Sequence, residues 1–295
     1  MTLDEAFSYC EKIATTHYEN FPVASFFLSK EKRQYIQVIY AFARTADDIA
    51  DENNFDKEKR IEELENWQKK LNLCYENKYV DNPIFIALNE TIQKTNLPKN
   101  FLDDLLFAFM MEQEKNRFQN FDELLFYCSK SANPIGRIVL WIFNYRDENI
   151  FFFSDKICSA LQLTNFWQDV SIDLKKNRIY IPQTDLTKFN YSEENLLNKI
   201  CDENFIQLLK FQIESTKSLF YEGSKLLNLV DKDLRIELRL IYFGGMQILR
   251  KIEKMNFNTL NFRPHLNVFD KINIFLKGMF SKNFYQNFNS PYRWD

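Results

Sequence analysis

The placement of proline and the scarcity of glycine constrain this chain more than any other feature. Among 295 residues there are 5 glycines and 7 prolines. The prolines (Pro22, Pro83, Pro98, Pro134, Pro182, Pro264 and Pro291) fall between long periodic segments and not inside them. Proline ends helices because it lacks an N–H and clashes with the preceding turn, so this spacing reads as helix punctuation. Alternating β-branched runs bounded by Asn-Gly or Asp-Gly turns are almost absent, and with them the case for strands. The fold class expected is all-α. Apolar periodicity predicts helices at about 4–17, 30–52, 57–73, 82–95, 98–116, 121–129, 134–144, 149–174, 192–228 with a break near 202, 231–254 and 266–282. No low-complexity linker or short repeat interrupts them, so a single domain over 1–295 is expected, with 283–295 as an irregular tail.

Hydrophobic residues at 45% and charged residues at 27% are the balance of a folded globular chain. A net charge of −3 without a basic block leaves no nucleic-acid footprint. The N-terminal stretch MTLDEAFSYCEK is acidic and amphipathic, unlike a secretory signal, and no apolar run reaches the roughly 18 residues of a membrane span. A cytoplasmic protein is expected. Five scattered cysteines without a CxxC pair suggest neither a disulfide framework nor zinc, and read as small buried hydrophobes.

Against this background the stretch AFARTADDIADE, residues 41–52, is unusual: four carboxylates among Ala, Phe and Ile. On a helix, Asp47 and Asp51 are one turn apart and Asp48 lies on their shoulder, while Tyr40, Arg44, Asp47 and Asp51 form one polar stripe. Two carboxylates about 6 Å apart repel by about 1 kcal/mol in water and about 3 kcal/mol at an effective dielectric near 20. Either the stripe is a solvated helix end or something neutralises it. A second stretch, QLTNFWQDVSIDLKKNRIYIP at 162–182, bears on that choice. Asn165, Asp169 and Asp173 recur at i, i+4 and i+8, with Gln162 one turn earlier. Oxygen donors of this kind suit Mg²⁺, which takes one or two carboxylates per ion and completes its shell with water and substrate phosphate. Two such stripes facing each other would describe a magnesium diphosphate site. Lys175 and Lys176 read as helix C-terminal cations, and Arg178 as a bidentate phosphate ligand.

The segments HYENFP, YAFARTADDIADE and NFWQDVSIDLKKNRIYIP together resemble the squalene/phytoene synthase family, the head-to-head prenyl transferases, over about residues 5–270. The wording is most similar to the bacterial hydroxysqualene synthase branch associated with hopanoid biosynthesis. The resemblance implies an isoprenoid-synthase fold with a central cavity and the two acidic motifs facing each other across its mouth. It implies a first metal site at Asp47, Asp48 and Asp51, a second at Asn165, Asp169 and Asp173, and two or three Mg²⁺ ions with the diphosphate. Tyr40, Arg44 and Tyr180 would be catalytic, with Gln162, Arg178, Tyr127 of YCSKSANPIG and Tyr242 of LIYFGG binding substrate. Where the family commonly reads His-Ser-x-Ser-Phe, this chain has His17-Tyr18-Glu19-Asn20-Phe21, so both serine hydroxyls are missing. His17 and Asn20 stand as substrate-binding candidates, against structural roles before Pro22.

The activity implied is conversion of presqualene diphosphate to hydroxysqualene, without NADPH. The alternatives are condensation of two farnesyl diphosphates to presqualene diphosphate or squalene, condensation of two geranylgeranyl diphosphates to phytoene, or an inactive lipid-binding partner subunit. Companion enzymes of the squalene pathway are expected partners. In KINIFLKGMFSKNF, from residue 271, apolar residues at helical spacing accompany Lys271, Lys277 and Lys282. That helix suits either a peripheral membrane contact at the inner face or packing onto the domain.

Overall fold

The computed structural model describes residues 1–16, 28–52 and 54–280. His17, Asn20 and the expected tail at 283–295 lie outside the described residues. Among the described residues no strand forms; a single bridge joins Arg117 and Ile179. The helices are α1 (Leu3–Thr16), α2 (Lys30–Asp51), α3 (Lys57–Tyr75), α4 (Pro83–Thr95), α5 (Lys99–Glu114), α6 (Phe121–Ser131), α7 (Asn133–Ile142), α8 (Glu148–Gln168) and α9 (Val170–Asp173). After a 3-10 turn at Leu174–Lys176 follow α10 (Gln183–Lys188), α11 (Glu193–Leu197), α12 (Glu203–Gly223), α13 (Leu226–Leu229), α14 (Lys232–Lys254) and α15 (Val268–Phe280).

Short polar side chains start these helices. Asp56, Asn82, Asn120, Asp147, Ser192 and Asp202 each accept from a backbone N–H of the first turn, satisfying donors that a helix leaves orphaned. Asparagine also ends them. Asn77, Asn96, Asn144, Asn177, Asn190 and Asn256 all adopt positive φ, the left-handed conformation that usually falls to glycine at a helix C-terminus. No glycine has positive φ. The few glycines serve close packing instead: at Gly223 an added Cβ would lie 2.8 Å from the backbone oxygen of Phe153, so α12 approaches α8 more closely than a side chain permits.

Three departures from the periodicity have local causes. The segment expected as one helix over 149–174 breaks at Asp169, whose φ −106° and ψ 14° end α8 and begin α9. The segment over 192–228 divides at Asp202, where a break was expected and that side chain caps α12, but it also breaks after Gly223, which was not expected. The short α10 carries too little apolar periodicity to be seen in advance.

The core is contiguous from α1 to α15. Helix α8 runs through its middle, packing on α6, α7, α12 and α14, while α2 packs on α1, α3, α4, α5 and α7. Trp167, fully buried, donates its indole N–H to the Thr216 hydroxyl of α12 at 2.8 Å. The five cysteines are free, and Cys10, Cys74 and Cys128 are buried. Among the described residues, no helix is long and apolar enough to cross a membrane.

Candidate active site

Between α2, α5, α7, α8 and α14 lies a cavity of ≈ 450 Å³, a size suited to a substantial organic ligand. Its walls are mostly aliphatic, with Ile39 from α2, Phe109 from α5, Val139 from α7, Leu161 from α8 and Ile241 from α14 among them. Its polar end is supplied by Tyr40, Arg44 and Asp47 of the α2 stripe. Helix α2 places them there because its opposite face, including Val38, Phe42, Ala46 and Ala50, is buried in the core.

The carboxylates at this end are already tied to cations. Arg44 reaches Asp47 at 3.3 Å and Asp48 at 2.7 Å. Asp51 accepts from Lys176 and from Arg178, each at 2.7 Å, so the α2 stripe is joined directly to the turn after α9. On the second stripe, Asp169 accepts two bonds from Arg263, at 2.5 and 3.1 Å. The break at Asp169 leaves the stripe's register intact. The Asp169 N–H donates to the Asn165 carbonyl and the Asp173 N–H to the Asp169 carbonyl, both at 2.9 Å. Asn165 is exposed and Gln162, one turn earlier, is half-buried.

Neutralisation is incomplete. Burial, with Asp51, Glu112 and Asp48 nearby, pushes Asp47 up to about 6 despite Arg44. Burial and Asp169, reinforced by Glu112, push Asp173 up to about 7 against Arg178 and Lys176. Burial acts on Asp51 as well, but Lys176 and Arg178 outweigh it and hold that carboxyl below its ordinary value. Among the described residues no three His, Cys, Asp or Glu side chains converge as a ready-made metal nest. The donor set nevertheless fits a hard cation: every candidate ligand is oxygen, and burial disfavours the charged forms of Asp47 and Asp173, forms that a cation bound there would stabilise.

Arg263 was not anticipated, and neither was a second residue of this site. Glu112, at the C-terminal end of α5, has a side chain only 10% exposed and lies 3.6 Å from Arg178. It accepts from the Tyr127 hydroxyl and, at 3.2 Å, from the Tyr180 hydroxyl. Both phenols are raised well above their ordinary range by burial and then by this carboxylate. Tyr180 lies flat on Phe166, ring centroids 3.7 Å apart, and with Phe118 and Tyr127 forms an aromatic cluster. Asp173, Arg178 and Tyr180 line a small crevice with Phe166. The structure therefore gathers Tyr127, Arg178 and Tyr180 around Glu112, next to the two acidic stripes. Tyr242 lies elsewhere. It is fully buried with its ring edge-on to Phe220, and it borders a crevice between α14 and α15, while its neighbour Ile241 lines the cavity.

A largely aliphatic chamber with Tyr40, Arg44 and Asp47 at one end, beside acidic stripes tied to Lys176, Arg178 and Arg263, has the form of an enzyme active site. The chain belongs to the squalene/phytoene synthase family, whose sequence model matches residues 14–270. It is 34% identical over 227 residues to hydroxysqualene synthase of Zymomonas mobilis, covering 76% of this chain and 75% of that one. It is 26% identical over 284 residues to phytoene synthase of Arthrospira platensis, covering 92% and 91%. The fold is similar to the crystal structure of squalene synthase HpnC from Alicyclobacillus acidocaldarius, with TM-score 0.82 and 33% identity over 87% of this chain and 96% of that one. The architecture is thus the all-α isoprenoid-synthase fold, and the protein is an enzyme of this family.

Proposed function

We propose that this enzyme converts presqualene diphosphate to hydroxysqualene, releasing diphosphate, with Mg²⁺ and without NADPH. The observation that carries the choice of branch is the 34% identity to a hydroxysqualene synthase, against 26% to a phytoene synthase. The product would enter squalene and hopanoid biosynthesis, and the substrate would come from a companion enzyme that condenses two farnesyl diphosphates.

In this reading Asp47, Asp48 and Asp51 on one side, and Asn165, Asp169 and Asp173 on the other, hold the metal. Bound there, Mg²⁺ would supply Lewis-acid neutralisation of the departing diphosphate. Arg44 and Arg178 present planar guanidinium groups that grip phosphate oxygens bidentately, and Lys176 adds a third positive charge. The hydrocarbon lies in the aliphatic chamber, which excludes bulk water and so favours ionisation over indiscriminate hydrolysis. Loss of diphosphate would leave a cyclopropylcarbinyl cation, which an aromatic face would stabilise; Tyr180 and Phe166 border the crevice beside Asp173 and Arg178. Tyr40 sits at the chamber's polar end, one turn before Arg44. One water captures the rearranged cation, and its proton leaves to solvent or to diphosphate.

Incubation of presqualene diphosphate with the enzyme in ¹⁸O-labelled water tests this by mass spectrometry. The expected product is a labelled C30 alcohol, formed at a rate indifferent to NADPH and abolished by EDTA. Squalene formed only with NADPH, phytoene from geranylgeranyl diphosphate, or consumption of farnesyl diphosphate alone would reassign the step. Full activity in EDTA would remove the metal from it.

A further inference from the structure

Helix α15 is amphipathic in the wrong sense for a helix that merely completes a core. Its inward contact with α14 is a narrow stripe. Ile274 and Gly278 are buried there, and at Gly278 an added Cβ would meet Leu240 at 2.7 Å. Asp270 fixes the start of the helix by accepting from Gln247 at 2.8 Å and pairing with Lys251 at 2.7 Å. The broad apolar face looks outward. Val268 is 69% exposed, Phe269 82%, Ile272 52%, Leu276 48% and Phe280 70%. At 3.6 residues per turn these positions span an arc of about 120°, so they form one continuous stripe and not scattered surface residues.

The charge around this stripe runs against that of the whole molecule. Helices α14 and α15 carry eight lysines and arginines against four carboxylates, in a chain whose net charge is −3. A single convex helix with an exposed apolar arc and basic surroundings matches an interfacial helix, whose apolar face sinks about 5–10 Å into the boundary between lipid headgroups and acyl chains. Anionic headgroups add attraction for nearby lysines and arginines.

We infer that the outward face of α15 is a docking surface for an anionic lipid bilayer. Its position relative to the cavity gives that docking a use. Helix α14 turns Leu234, Leu238 and Ile241 toward the cavity and seats α15 on its other side, so the bilayer lies one helix away from the apolar chamber. The inference does not depend on which reaction occurs there.

Flotation of the full-length protein with vesicles of phosphatidylcholine, with and without phosphatidylglycerol, tests it. The parent is expected to float with the anionic vesicles and weakly with the neutral ones. Ile272→Glu combined with Leu276→Glu should lower the bound fraction by about tenfold, with the melting temperature and turnover of detergent-dispersed substrate unchanged. Phe269→Ser, at the most exposed of these side chains, should shift binding in the same direction with the least disturbance of packing. Equal flotation of parent and both variants, or no flotation of the parent, would overturn the inference. So would a lipid-free dimer that the double variant converts to monomer, which would give the face to a second copy. Loss of flotation in a Phe284→Ser, Phe288→Ser variant, with the α15 variants binding normally, would overturn it in favour of the C-terminal segment.

Discussion

Arg44 serves two carboxylates at once through its planar fork, one terminal nitrogen to each. Its guanidinium reaches both Asp47 and Asp48, one turn along the same helix. Arg44→Lys keeps the charge but loses the planar fork that can grip phosphate oxygens bidentately. A fall in kcat/KM of about 10- to 100-fold is expected, with little change in melting temperature because the pair is partly solvated. Steady-state kinetics beside a thermal melt will separate the two effects, and unchanged kinetics would make the contact structural. At this scale the sequence disclosed the α2 stripe well, because α2 is one unbroken helix and the four-residue spacing transfers directly to space. Glu112 was hidden. It stands close to Glu114 at the end of an amphipathic helix, and spacing does not distinguish a carboxylate turned toward Tyr127 and Tyr180 from one turned to solvent. Arg263 was hidden for another reason: its partner Asp169 is 94 residues away, and no local pattern records such a pairing.

Among the elements, α12 and α15 both use a glycine for close approach, and α15 adds a charged tie at its start. Helix α12 meets α8 through the absence of a side chain at Gly223. Gly223→Ala gains helix propensity but drives a methyl group against the Phe153 carbonyl and Ile157, and backbone cannot step aside as a flexible side chain can. A net loss of about 1–3 kcal/mol is expected, measured by urea denaturation. Helix α15 is tied by charge. Asp270 is held below its ordinary value of 3.8, since Lys251, the Asn267 N–H and Gln247 outweigh the effect of burial. A depressed carboxylate contributes stability above the unfolded-state value and loses it as pH falls through the folded-state value. Asp270→Asn should therefore cost about 1 kcal/mol at pH 7, a difference that shrinks in acid below 3.8. Urea midpoints of parent and variant across that range will check the sign. Helix existence was readable from periodicity, whereas the breaks at Asp169 and after Gly223 were not. Asp169 is both an end and a beginning, and Tyr242 shows the companion limit: LIYFGG is apolar on every side, so its pattern leaves open which face meets the cavity.

For the molecule as a whole, ligands that bind only the folded site raise its stability by mass action. Mg²⁺ with inorganic diphosphate is expected to raise the melting temperature by about 5 °C at concentrations near a hundred times the dissociation constant, and EDTA should reverse the shift. An equal rise in an Asp47→Ala, Asp169→Ala variant would show that the ligands bind elsewhere. The all-α class was legible because proline and glycine placement is a property of the entire chain. The cavity was not, since its walls come from α2, α5, α7, α8 and α14, brought together only by the fold.

The pairing of Asp51 with Lys176 and Arg178 has a bearing on the order of events at the mouth. In the resting enzyme these cations are occupied by the protein's own carboxylate, as Arg44 is by Asp47 and Asp48. An incoming diphosphate must therefore compete with an internal counterion, and a metal that draws Asp51 away would release the two cations to the substrate. Each partner makes room for the other, so their affinities should rise together by one common factor, as thermodynamic reciprocity requires. On the proposed reading, the resting mouth would act as a latch released by metal and diphosphate together.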